Sequence, residues 1–232
     1  MIKHDLSVRA NQALRGEWEE PPLDFTVRPS FEKTTQFLQN TLCQLNKEPT
    51  RVCVDTETRG GHIACCGFAL SESSAISIPF MQVGGAYPSY WSRSEEHFIV
   101  DLIRKVLTHP NCLLEGQNLL YDVQYFFAEW FIIPRIDDDT MIAQHTCFPG
   151  GGDPKSAKAM ALGVQQKSLY NIASLYCRYY RYWKDEGKDW ESWMGEEILW
   201  AYNCRDCVKT FESMTELRGL VEKFGLQEIY AQ

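Results

Sequence analysis

The sequence predicts a mixed β-sheet flanked by helices, an α/β (α+β) sandwich. Short apolar runs rich in Val, Ile, Phe and Cys cluster between residues 51 and 80, helical periodicity fills most of the chain beyond them, and one apolar strand returns after a helix at 112–114. Strands first, helices around them and a strand re-entering late is the pattern of a sheet covered by helices.

In chain order, residues 1–29 mix Gly16, Pro21, Pro22 and Pro29 with Trp18 and Phe25 and read as an irregular N-terminal arm, leaving 30–232 as the domain. Ser30 stands where a helix cap belongs, ahead of Phe31, Leu38, Leu42 and Leu45, and Pro49 ends that helix. Strands are expected at 51–55, 62–70 and 75–80, punctuated by Gly60, Gly61 and the serines at 71, 73 and 74. A loop with Gly84, Gly85 and Pro88 leads to Ser94, then to an amphipathic helix carrying Phe98, Leu102, Ile103, Val106 and Leu107 and ending before Pro110. After the strand at 112–114 comes a helix over 119–130. The second half is helical at 140–145, 169–180 and 196–223, with loops around Gly150 to Pro154 and around Gly187.

With 232 residues, 44% hydrophobic and 23% charged, the chain can bury a core without disulfides or metal, and disorder, collagen and coiled coil are excluded. No apolar run approaches the roughly 18 residues of a membrane span. Lys3, His4, Asp5 and Arg9 precede no apolar stretch, and Glu17, Glu19 and Glu20 do not suit a transit peptide, so the expected location is cytoplasmic. The net charge of −8 bears on partners: a protein gripping a nucleic-acid backbone non-specifically is normally basic. Any nucleic-acid function must then rest on a local site, on bound cations or on a partner.

Nine cysteines, most of them in apolar runs such as Val52-Cys53-Val54, read as reduced thiols acting as small hydrophobes. Cys204 and Cys207 have a zinc-like spacing, but a structural site needs a second ligand pair, which adjacent Cys65 and Cys66 do not supply.

Three segments carry chemistry. Asp55 and Glu57 end an apolar strand two residues apart and project from one face; paired carboxylates repel unless a cation lies between them, and such hard oxygens suit magnesium or manganese. Asn118 and Asp122 are four apart at a helix start, where a cap and a first-turn acid would look the same. Tyr202 and Asp206 are four apart on a late helix, so a phenol and a carboxylate face one way.

In that order, Asp-x-Glu, Asn-x-x-Tyr-Asp and Tyr-x-x-x-Asp, the segments resemble the DEDD superfamily of 3′→5′ exonucleases, DnaQ-like enzymes with an RNase H-like fold. Tyr202 four before Asp206 indicates the DEDDy branch; the sister branch would have His five before it, where this chain has Ala201. Gly116 to Asp122, Asp139 to Ala143 and Lys167 to Ala173 look most like the proofreading domain of family A DNA polymerases. The likeness spans about residues 51–217 and does not cover the arm.

The resemblance implies a two-metal-ion exonuclease with two divalent cations, Mg2+ or Mn2+. Asp55, Glu57 and Asp206 would hold one; Asp55 would bridge to a second, supported by Asp122 largely through water; Tyr202 would orient the attacking water. Thr56, Thr58, Asn118 and Tyr121 would contact the terminal nucleotide. The implied activity is hydrolysis of DNA from its 3′ end to nucleoside 5′-monophosphates, as a proofreading domain serving a DNA polymerase module or replication proteins. Because the chain ends soon after Asp206, it has no room for that module and would be a fragment or free-standing. The alternatives are an RNase D-like exoribonuclease and a non-catalytic nucleic-acid-binding or docking module on the same fold.

Residues 151–190 carry seven basic side chains (Lys155, Lys158, Lys167, Arg178, Arg181, Lys184, Lys188) against four acids. They are interleaved with Tyr176, Tyr179, Tyr180, Tyr182 and Trp183. This is either a strip that stacks a single strand or a packed surface loop. Asp137, Asp138 and Asp139 read as helix-cap chemistry, and Trp190, Trp193 and Trp200 as core.

Overall fold

A computed structural model describes residues 22–82, 89–149, 167–184 and 195–231. The loops around Gly84 and Gly150, most of the arm, Trp190, Trp193 and the basic residues Lys155, Lys158 and Lys188 lie outside that set. Six strands form one sheet: β1 (Asp24–Thr26), β2 (Thr50–Arg59), β3 (His62–Ala69), β4 (Ser74–Pro79), β5 (Cys112–Gly116) and β6 (Asp138–Asp139), in the order β1-β4-β3-β2-β5-β6. β2, β3 and β4 form an antiparallel meander, while β1 runs parallel to β4, β5 parallel to β2 and β6 parallel to β5. The sheet is therefore mixed, as the sequence predicts.

Two residue-level differences have clear causes. Residues 24–26, inside the stretch read as an arm, pair with Ser74, Ala75 and Ile76, an edge contact that exists only once β4 is in place. β2 runs on to Arg59 because Thr56 and Thr58 are β-branched and pair with Cys66 and Ile63, with a register shift between Glu57 and Thr58.

The helices are α1 (Phe31–Leu45), α2 (Arg93–Leu107), α3 (Leu119–Trp130), α4 (Thr140–Cys147), α5 (Leu169–Tyr176), α6 (Glu196–Lys223) and α7 (Gln227–Tyr230). Ser30 caps α1 by accepting from Lys33 N at 3.2 Å. α2 is capped two residues before the expected Ser94: Ser92 and Glu95 exchange side-chain and backbone bonds in a capping box. One sheet face buries Val52, Val54, Phe68 and Leu114 against Leu38 of α1, Ile99 and Ile103 of α2 and Phe126 of α3. On the other, Cys53, Ala69 and Ala75 meet Cys204, Cys207, Val208 and Phe211 of α6. Gly67 makes this second contact close: a Cβ there would lie 2.5 Å from Asn203 Oδ1 and 2.6 Å from Cys207 Sγ. Among the described residues no helix is long and apolar enough to cross a membrane.

Candidate active site

The two-residue repeat of β2 builds the site. Val52 and Val54 point into the α1–α3 layer, and Cys53 points at α6. Asp55 and Glu57 continue the Cys53 series, and Asp206 descends from α6 to meet them. One carboxylate oxygen from each of Asp55, Glu57 and Asp206 lies within 4.8 Å of the others.

Asp122 of α3 is buried, and its Oδ1 accepts from Thr56 N at 2.8 Å and Thr56 Oγ1 at 2.6 Å. It is not one of the trio, but it is near enough for its charge to act on both Asp55 and Glu57. Asn118 takes a left-handed conformation (φ 58, ψ 45) before α3, and its side chain does not cap the helix. Asp139 does that work: its carboxylate accepts from Asn118 N at 3.1 Å and Leu119 N at 2.8 Å, and from Met141 N at 2.8 Å at the start of α4. Asp137 accepts from Leu114 N and Asp138 pairs with Arg218, so the acidic run is capping and bracing, as its position before a helix suggests.

Asn203, which sequence reasoning passes over, is fully buried on α6. Its Nδ2 donates to Asp55 Oδ2 at 2.8 Å and Asp55 O at 3.1 Å, and Ser77 Oγ donates to its Oδ1 at 2.8 Å. A signal exists in the chain: Asn203 is three residues before Asp206, hence on the same helix face. Trp183 and Lys184 are further site residues that the motifs do not mark. Trp183 Nε1 donates to Asp206 Oδ1 at 2.5 Å, and Lys184 Nζ bonds Tyr202 Oη at 2.7 Å and pairs with Asp206 Oδ2. Composition places both in the basic, aromatic strip, yet they turn inward; a chain segment folding back has no local signature. Lys167 of that strip lies 2.7 Å from His145 Nδ1.

Thr58 Oγ1 and Tyr121 Oη are 2.8 Å apart, and the Tyr121 and Tyr125 rings have centroids 5.0 Å apart. Tyr121, one residue before Asp122, is 42% exposed.

The electrostatics follow from burial and crowding. Burial, then Glu57, Asp206 and Asp122, hold the Asp55 carboxyl well above the usual range, with Lys184 opposing. Burial and then Asp206 push Glu57 up to about 8. Burial raises Asp122 to about 7 against the Thr56 donors. Burial and then Asp206 drive the Tyr202 phenol upward, so it remains a hydroxyl at neutral pH. Acids that resist ionising together, with only hard oxygen donors, are the chemistry of a site for Mg2+ or Mn2+, and the trio fits such an ion.

No family model matches the chain, and no curated protein matches it in sequence. Solved structures do match in fold. NrnC of Brucella melitensis is 14% identical with a TM-score of 0.56, covering 90% of this chain and 86% of that one. The catalytic core of RRP6 from Trypanosoma brucei is 16% identical with a TM-score of 0.58, covering 90% of this chain and 50% of that one. The POL domain of Pol1 from M. smegmatis, in complex with DNA primer-template and dNTP, is 10% identical with a TM-score of 0.58, covering 90% of this chain and 29% of that one. Together with the six-stranded mixed sheet and its flanking helices, these matches show that the chain shares their fold, an RNase H-like mixed sheet covered by helices.

Proposed function

We propose that this chain is a metal-dependent 3′→5′ exonuclease. The observation that carries the reading is the trio Asp55, Glu57 and Asp206, with oxygens within 4.8 Å of one another, Asp206 buried and the other two half-buried. Two divalent cations, Mg2+ or Mn2+, would be the cofactors, the first held by the trio and the second by Asp55 with Asp122. Bound there, they would supply a water of lowered pKa and stabilise charge on the departing 3′ oxygen. Support comes from NrnC, a fold neighbour solved with bound Mg2+ and also bound to pGG.

The chain's own groups do the rest. Asn203 holds the Asp55 carboxylate in its place among the trio. Tyr202, held as a hydroxyl, hydrogen-bonds and orients the attacking water rather than taking its proton. Thr56 and Thr58 border the terminal phosphate, and Asn118 and Tyr121 the terminal nucleotide, with Tyr121 stacking on its base. The water oxygen bonds to phosphorus, the P–O3′ bond breaks, the proton ends on the 3′ oxygen, and a nucleoside 5′-monophosphate leaves. The substrate we assign is the 3′ end of DNA, single-stranded or frayed, processed alongside a polymerase module; the catalytic domain takes in strand β1 as well as residues 30–232. The polymerase-like segments around Gly116, Asp139 and Lys167 favour this.

A second reading, RNA as substrate, is favoured by the fold match to Escherichia coli RNase D, described as an exoribonuclease. The test is degradation of 5′-labelled single-stranded DNA, 3′-mismatched primer and RNA of one sequence, with Mg2+ and with chelator. Stepwise shortening from the 3′ end only with metal is expected, fastest on DNA. Faster shortening of RNA selects the second reading, and no shortening of any substrate overturns both.

A further inference from the structure

Lys184 places its ammonium where the acids need positive charge. It pairs with Asp206 Oδ2, lies 2.7 Å from Tyr202 Oη and 4.7 Å from the centre of the Tyr202 ring, and its charge acts on Asp55 and Glu57 as well. Its side chain is only 20% exposed and Asp206 is 5% exposed, so the contact is largely out of water, where opposite charges attract strongly. Among the described residues, one unit of positive charge faces three carboxylates. We infer that Lys184 is an internal stand-in for the divalent cation: its ammonium holds the seat in the metal-free protein, and the metal must displace it from Asp206 to bind. The inference rests on the proposed function only in taking the trio as a metal seat.

The two oxygens of Asp206 have separate partners. Trp183 Nε1 holds Oδ1 at 2.5 Å, and Trp183 is itself 1% exposed, packed with Leu169, Ala173 and Cys177. Oδ2 is the oxygen Lys184 takes. The indole therefore fixes the carboxylate plane while the neighbouring ammonium is free to leave. A four-carbon stem with a strongly hydrated head suits this better than a guanidinium fork. The arrangement lets a crowd of acids fold without metal, and it lowers metal affinity by the fraction of time the ammonium occupies the seat.

The experiment is Mn2+ binding by titration calorimetry to the full chain, wild type and Lys184→Met, Lys184→Arg and Asp206→Asn, with melting temperatures in chelator and in saturating Mn2+. Methionine keeps the stem volume and removes the charge. Lys184→Met is expected to bind Mn2+ about tenfold more tightly than wild type. It should also melt lower in chelator, with the deficit gone in Mn2+. Lys184→Arg should bind Mn2+ no more tightly than wild type, because a guanidinium also fills the seat and leaves it less readily. Loss of the site in Asp206→Asn locates the binding. Equal Mn2+ affinity in wild type and Lys184→Met, or weaker binding in the variant, overturns the inference and leaves the metal seat standing. No Mn2+ binding by any of them overturns the seat and the inference together.

Discussion

Two acidic clusters lie between the sheet and α6, and they are balanced differently. Beside β5, Glu115 is fully buried, yet Arg51 meets its two oxygens at 2.9 and 3.0 Å and Arg218 adds a contact at 2.8 Å while also pairing with Asp138. Two acids meet two guanidiniums. Burial pushes the Glu115 carboxyl upward, and both arginines pull it back. At the other cluster, three acids meet one ammonium among the described residues, and for Asp55 every neighbouring acid adds to the effect of burial. Acid density is similar in the two places; charge balance is not. A balanced cluster braces the fold, whereas an unbalanced one leaves room for a cation.

The sharpest way to break that comparison is to neutralise one member of each. Asp55→Asn is expected to lower the metal-dependent cleavage rate by about a thousandfold or more. In chelator it should leave the melting temperature unchanged or raised, since a repelling charge is gone and the amide can still accept from Asn203. Arg51→Met should do the reverse to stability. It strips Glu115 of its bidentate partner, for a loss of about 3 kcal/mol in urea unfolding. If Asp55→Asn destabilises as much as Arg51→Met, the two clusters do not differ in kind.

A smaller effect separates aiming from holding. Asn203→Ala leaves the trio in place but frees Asp55, and a loss of about 10- to 100-fold in rate is expected. The change should appear in kcat rather than KM. A rate within twofold of wild type would leave Asn203 with no part in aiming Asp55.

The smallest expected effect is on pH dependence. The folded chain raises Glu57 from 4.5 to about 8 and Asp122 from 3.8 to about 7, so it keeps protons that the unfolded chain has released. That contribution is whole below about pH 4, shrinks steadily as pH rises above it, and is gone once pH has passed about 7 to 8. Without metal, the melting temperature should fall by about 5 °C between pH 5.5 and 8.5. Saturating Mg2+ should abolish the fall. A flat or rising profile in chelator would contradict it.

Much of the fold and of the acidic trio is legible in the chain because it is local. The alternation of Val52, Cys53, Val54 and Asp55 puts both acids on one face of a strand whatever its neighbours, and Ser30 and Asp139 cap helices a few residues away. The features that are not legible depend on partners distant in sequence. Asp122 turns to Thr56 because α3 packs on the far layer, a fact of sheet topology. β1 exists only through β4, and Trp183 and Lys184 reach Asp206 only because the segment after α5 folds back on α6. Gly67 permits Asn203 to reach Asp55, a close approach that a lone glycine in a strand hints at without naming its partner.

A cation seat among Asp55, Glu57 and Asp206 is the feature on which the proposed chemistry depends. Its most direct test is anomalous scattering from crystals of the full chain soaked in Mn2+. A strong peak bonded to oxygens of those three side chains is expected, with the Lys184 ammonium withdrawn from Asp206. A Mn2+ peak elsewhere and none among the three, with Lys184 still paired to Asp206, would contradict it.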